Sequence, residues 1–129
     1  MCSRGEQMNN HRTDVLDSEN TLHILRDIEV NPKATQRELA QRHNISLGKM
    51  NFLINAFIDK GMIKVQNFKN SKYKLAYMYL LTAYGIKTKI HLTHKFFTWK
   101  LQQYERLKTE IENYKKELRA NGTKVEDKA

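Results

Sequence analysis

Apolar and polar residues follow two rhythms along the chain, one helical and one alternating. Leu22, Ile24, Leu25 and Ile28 recur at helical intervals and predict a first helix over Glu19–Val30. Ser18 or Asn20 can cap it, and Asn31-Pro32 stops it, because proline lacks an amide hydrogen and disfavours a helical residue before it. Thr35-Gln36-Arg37-Glu38 has the spacing of a capping box, the Thr35 hydroxyl taking the Glu38 amide and the Glu38 carboxylate the Thr35 amide. The helix it opens turns Leu39 and Ala40 inward and ends at His43-Asn44. Ser46 caps a third helix that runs to Lys60, with Gly61 as its left-handed terminus. Met50, Leu53, Ile54, Phe57 and Ile58 give that helix one buried stripe.

The rhythm then changes to strict alternation. Residues 62–68 and 73–79 read as two strands, joined by the turn Lys69-Asn70-Ser71-Lys72, which gives a hairpin with a basic tip. Thr82 can cap a short helix to about His91, with Gly85 costing it roughly 1 kcal/mol against alanine. Thr93 can cap a last helix from His94 to about Ala120, ended by Asn121-Gly122. At 1.5 Å per residue that helix is roughly 40 Å long, more than so small a domain needs for its own core. Residues 1–18 and 121–129 show no apolar period and are expected to be flexible tails around a domain at 19–81 and C-terminal helices at 82–120.

Charge adds direction to this outline. The chain has 129 residues and a formal charge of +9. Residues 1–30 carry three basic and six acidic side chains, a net of −3, whereas residues 31–74 carry nine basic and two acidic, a net of +7. Polyanions are the natural partners of such a segment, nucleic acid first among them.

Helix, helix, short turn, helix and basic hairpin is the order of a winged helix-turn-helix, in which the first two helices clamp a third that enters the major groove. The stretch with Leu39-Ala40, Asn44-Ile45-Ser46, Met50-Asn51-Phe52-Leu53 and Asp59-Lys60-Gly61-Met62-Ile63 resembles the MarR-type winged-helix regulators. Tyr79-Leu80-Leu81-Thr82-Ala83-Tyr84-Gly85-Ile86 is similar to that family's junction between wing and helix. With Tyr104-Glu105 and Glu110-Ile111-Glu112, the resemblance extends to a short bacterial subgroup associated with exopolysaccharide gene clusters. It implies a mainly α fold with a small β-hairpin and a long C-terminal dimerisation helix, and a cytoplasmic transcriptional regulator that binds double-stranded DNA. Many members carry Asp-x-Arg at the wing turn, where this chain has lysines. Lysine reads groove width less well than arginine, so the wing is expected to hold phosphate only.

Six residues are candidates for contact through the third helix. Steps of 100° from Met50 put Gly48, Phe52 and Asn55, together with Ala56, opposite the buried stripe, with Lys49 and Asn51 flanking. Lys49 can donate to guanine, and Asn51 or Asn55 can pair with adenine. Gly48 permits close approach, and Ser46 can give its hydroxyl to a phosphate. Phe52 either presses on a thymine methyl or packs under the wing. Arg37, Arg42, Lys64, Lys69, Lys72 and Lys74 are the phosphate candidates, on the strength of the cluster.

In the last helix Phe97, Tyr104, Ile111 and Leu118 repeat every seven residues, with Leu107 and Tyr114 between them, as the a and d rows of a dimeric coiled coil. Lys100 spoils the first d position, and Leu101 beside it suggests that this end packs on the winged domain. Glu110 and Glu117 occupy g, Lys108 and Lys115 occupy e, so a parallel pair sets Glu110 against Lys115.

Other classes find less support. No Gly-rich phosphate loop, zincin helix or cysteine pair points to an enzyme, and no cofactor is expected. His91 and His94 lack a third ligand, and His91 reads better as a cation at a helix C-terminus than as part of a metal site. The longest apolar run, Leu75–Leu81, is far short of the ~20 residues a membrane span needs, and the polar start offers no secretory signal. Cys2 has no partner, in keeping with a reducing compartment. The last helix mixes glutamates with its lysines, unlike the nearly all-basic faces that anionic membranes select. A protein-interaction adaptor on the same fold is the alternative function. Any small-molecule effector is unspecified by the sequence.

Overall fold

The structure is a computed structural model, and it describes residues 16–69, 72 and 74–125. The tails outside these residues, Cys2, His11 and the wing-tip residues Asn70, Ser71 and Tyr73 lie beyond what is described.

The elements run α1 (Glu19–Val30), α2 (Gln36–Arg42), α3 (Leu47–Asp59), β1 (Ile63–Lys69), β2 (Leu75–Leu81) and α4 (Ala83–Ala120). Ser18 caps α1 by accepting the Thr21 amide. Thr35 accepts the Glu38 amide at 3.1 Å, while its own hydroxyl donates to the Glu38 carboxylate at 3.2 Å, so the box closes through the hydroxyl and not through the backbone. Asn44, at φ 54, ends α2 with the Ile45 amide bonded to the Ala40 carbonyl and the Asn44 amide to Gln41. Gly61, at φ 75, repeats the arrangement after α3, the Met62 amide reaching the Phe57 carbonyl. These two turns fix how the chain enters and leaves α3.

The strands pair antiparallel, with Ile63 opposite Leu81 and Lys69 opposite Leu75. Both lie one or two residues later than the alternation predicts. Leu22, Ile24, Leu25 and Ile28 from α1, Leu39 and Ala40 from α2, Met50, Leu53, Ile54 and Phe57 from α3, then Met62, Ile63 and Leu92, are all buried. Two α3 assignments change: Ala56 is buried and Ile58 is exposed. Leu16, which the sequence assigns to a flexible tail, also belongs to the core.

The two C-terminal helices expected from the sequence are one helix of 38 residues. Thr82 caps it, accepting the Gly85 amide at 3.0 Å. Thr93 caps nothing: its hydroxyl bonds back to the Lys89 carbonyl at 2.8 Å, four residues earlier, which satisfies it inside a continuous helix. His91 is therefore mid-helix, not at a C-terminus. Gly85 lies in the first turn, where few helical hydrogen bonds depend on it. The chain divides into two compact units after Thr93. The second unit holds the rest of α4, closed by Gly122 at φ 74 with the Thr123 amide on the Leu118 carbonyl. Leu101 is 48% exposed.

Candidate nucleic-acid interface

The outward side of α3 starts at its cap. The Ser46 side chain accepts the Lys49 amide at 3.0 Å, which spends a lone pair and leaves its hydrogen. Gly48, Lys49, Asn51, Phe52 and Asn55 are all exposed, as the helical spacing predicts. Phe52, at 53% exposure, is not packed under the wing. A Cβ built on Gly48 meets nothing within 4 Å, so no packing within the chain demands a glycine there.

Asn51 and Asn55 are tied to one another. The Asn55 amide donates to Asn51 Oδ1 at 3.2 Å, and Asn51 Nδ2 donates to Gln36 Oε1 at 3.1 Å. Gln36 Nε2 in turn donates to the Tyr79 hydroxyl at 3.1 Å. Sequence reading misses Gln36 and Tyr79, which sit 43 positions apart and carry no local signal. The wing is held to the rest of the domain by the Tyr79 amide, on the Pro32 carbonyl at 2.9 Å, and by the Lys33 ammonium, 4.8 Å from the Phe68 ring centre.

The phosphate candidates divide. Arg37, Lys64, Lys69, Lys72 and Lys74 are exposed. Arg42 is otherwise engaged: Nε and Nη2 grip the Asp27 carboxylate at 2.9 and 3.0 Å, and Glu38 lies 3.8 Å away. This bidentate pair ties α2 to α1. His43 Nε2, at 2.8 Å, and Asn31 Nδ2, at 2.9 Å, complete the shell around Asp27.

Burial pushes the Asp27 carboxyl up, but hydrogen bonds from Arg42, Asn31 and His43 and the Arg42 charge outweigh it, taking it from 3.8 down to about 2. A folded value below the unfolded one stabilises the fold above about pH 4, and that stability is lost as pH falls toward about 2. The shift corresponds to about 2 kcal/mol. Asp27→Asn should flatten the acid limb of stability, measured as urea midpoints between about pH 5 and pH 2; an unchanged limb would show that the carboxylate is not what the native shell selects.

Among the described residues, no group of three His, Cys, Asp or Glu side chains gathers as a metal site, and no helix is long and apolar enough to cross a membrane.

Comparison with known proteins agrees with this geometry. Residues 17–64 match the family model described as winged helix-turn-helix DNA-binding. No curated protein matches the chain. MepR, a transcription regulator of the Staphylococcus aureus multidrug efflux pump MepA, superposes with a TM-score of 0.55 at 16% identity, over 92% of this chain and 93% of that one. The S. aureus MepR–DNA complex gives 0.54 at 15% identity, over 90% and 91%. The Mycobacterium tuberculosis MarR-family protein Rv2887, in complex with p-aminosalicylic acid, gives 0.55 at 18% identity, over 92% of each. The matched model describes a DNA-binding fold, and MepR is a transcription regulator. The chain thus has a winged helix-turn-helix fold, shared with MepR and the MarR-family protein Rv2887.

Proposed function

We propose that this chain is a transcriptional regulator that binds double-stranded DNA sequence-specifically, as a homodimer, on an inverted-repeat operator. The observation that carries the reading is the uncovered outer side of α3, where Lys49, Asn51, Phe52 and Asn55 stand exposed within the segment of net charge +7. Lys49 and Asn55 supply base contacts, and Arg37, Lys64, Lys69, Lys72 and Lys74 hold phosphates. MepR has been crystallised with DNA, which supports the same use of the shared fold. The resemblance to the exopolysaccharide-associated subgroup makes those gene clusters the first operators to try.

The homodimer rests on the second unit. Phe97, Tyr104, Leu107, Ile111, Tyr114 and Leu118 are between 42% and 67% exposed, a row of large apolar side chains that solvent does not favour. The seven-residue spacing of the a row also continues backwards from Phe97 to Ile90, which is exposed, so more of α4 follows the repeat than the sequence reading used.

Fluorescence anisotropy on operator DNA tests the reading. Binding should weaken steeply with salt, and an absence of preference over scrambled DNA would defeat specificity. Lys49→Ala or Asn55→Ala should cost ~1 to 3 kcal/mol on the preferred site and flatten preference at one base. Lys72→Ala should weaken all sequences alike and lower the salt slope by about 1.

A further inference from the structure

Three amides in series end on a hydroxyl, and each spends one N–H on the next: Asn55 on Asn51, Asn51 on Gln36, Gln36 on Tyr79. An amide carries a pure acceptor and a pure donor, so turning one member over sets donor against donor or acceptor against acceptor. The series therefore reverses only as a whole. A tyrosine hydroxyl both donates and accepts, so Tyr79 tolerates either direction, and in the observed one it accepts from Gln36. Gln36 and Tyr79 are half-buried, whereas Asn51 and Asn55 face solvent. The anchored end is thus the end on the wing strand. Asn55 keeps its second N–H and its Oδ1, the one-donor, one-acceptor set that adenine N7 and N6 require.

We propose that Gln36 and Tyr79 are positioning residues for base readout, the wing-strand hydroxyl of Tyr79 holding in place, through Gln36 and Asn51, the Asn55 amide that a base meets. The proposal rests on the DNA-binding reading above and adds to it residues that need not touch DNA. Reading helix and wing are then one device. Base preference at the Asn55 position depends on a strand residue far away in sequence. A phenylalanine at 79 keeps the ring and its packing but leaves Gln36 Nε2 without its acceptor.

The test uses the full chain and a pool of random duplex DNA, with preference at each position read from the selected sequences. Tyr79→Phe should reduce adenine preference about fivefold or more at the one position that Asn55→Ala flattens, with overall affinity for random DNA changed less than about twofold. Asn55→Ala combined with Tyr79→Phe should lose no more than Asn55→Ala alone. In the DNA-free protein, Tyr79→Phe should shift the side-chain amide signals of Gln36, Asn51 and Asn55 in nuclear magnetic resonance spectra and leave that of Asn44 in place. Gln36→Leu, which cuts the series at its second member, should reproduce both results and stands in if the Tyr79 variant is unstable. Unmoved Asn55 signals overturn the series in the free protein. Unaltered adenine preference in a Tyr79→Phe protein that still binds the selected site overturns the positioning role while leaving DNA reading intact. A wild-type protein that selects no sequence overturns both.

Discussion

Alanine at Gly85 should lower the free energy of unfolding by about 3 kcal/mol, seen as a lower urea midpoint at constant slope. A Cβ on Gly85 would lie 2.0 Å from the Met62 carbonyl oxygen and 2.9 Å from its carbon, both backbone atoms. Met62 has little room to retreat. Its amide is bonded to the Phe57 carbonyl at 2.8 Å, its carbonyl accepts the Thr82 amide at 3.0 Å, and its side chain is buried. Propensity pulls the other way, since alanine is favoured over glycine inside a helix by about 1 kcal/mol, so the sign of the change measures which effect wins. Gly48→Ala is the internal control. The built Cβ there meets nothing, and stability should rise by about 0.5 to 1 kcal/mol while affinity for DNA falls. A stabilised Gly85→Ala would mean that Met62 and α4 do not approach as closely as the structure has them.

Gly85 also illustrates what a sequence leaves hidden. As a helix residue it reads only as a propensity cost of about 1 kcal/mol. Its purpose lies in a strand-side neighbour 23 positions earlier, which no local pattern reveals. Thr93 misleads for a related reason: a threonine hydroxyl can cap a helix or bond back to the preceding turn, and only the continuity of the backbone decides between them. By contrast, the caps at Ser18, Thr35 and Ser46 and the turns at Asn44 and Gly61 are local chemistry, and they are legible from spacing alone. So is the exposed side of α3, because a 3.6-residue period places Lys49, Phe52 and Asn55 once the buried stripe is recognised. Arg42 shows the limit for charged residues. Composition counts it toward a basic surface, whereas Asp27, from a different helix, has already claimed its guanidinium. The same holds for Gln36 and Tyr79, whose partnership exists only after the wing folds against α2.

Ile111→Glu should convert the protein to a monomer at micromolar concentration in sedimentation, with operator affinity reduced on the order of 100-fold. Ile111 lies within the exposed heptad row, between Leu107 and Tyr114, and the proposed pair would bury two carboxylates against each other in place of two isoleucines. Losing the second half-site contact converts a two-point attachment into a one-point one, which accounts for the size of the affinity loss. Orientation can be tested separately. In a parallel, in-register pair each a residue faces its own copy, so Tyr104→Cys and Leu118→Cys, each made with Cys2 replaced by serine, should both cross-link the dimer under mild oxidation. An antiparallel pair brings only residues near the crossing point face to face with themselves, so at most one of the two would link. The charge rows favour the parallel arrangement, since Glu110 then meets Lys115 of the partner subunit, while the antiparallel one sets glutamate against glutamate and lysine against lysine. Lys115 already lies 3.6 Å from Glu112 of its own chain, so the contact between chains must compete with that pair. In the proposed dimer the a and d rows would supply most of the association energy and the charges its direction, because exposed ion pairs are screened. A monomeric wild-type chain at micromolar concentration would defeat the dimer, and cross-linking at only one of the two cysteine positions would defeat its parallel form.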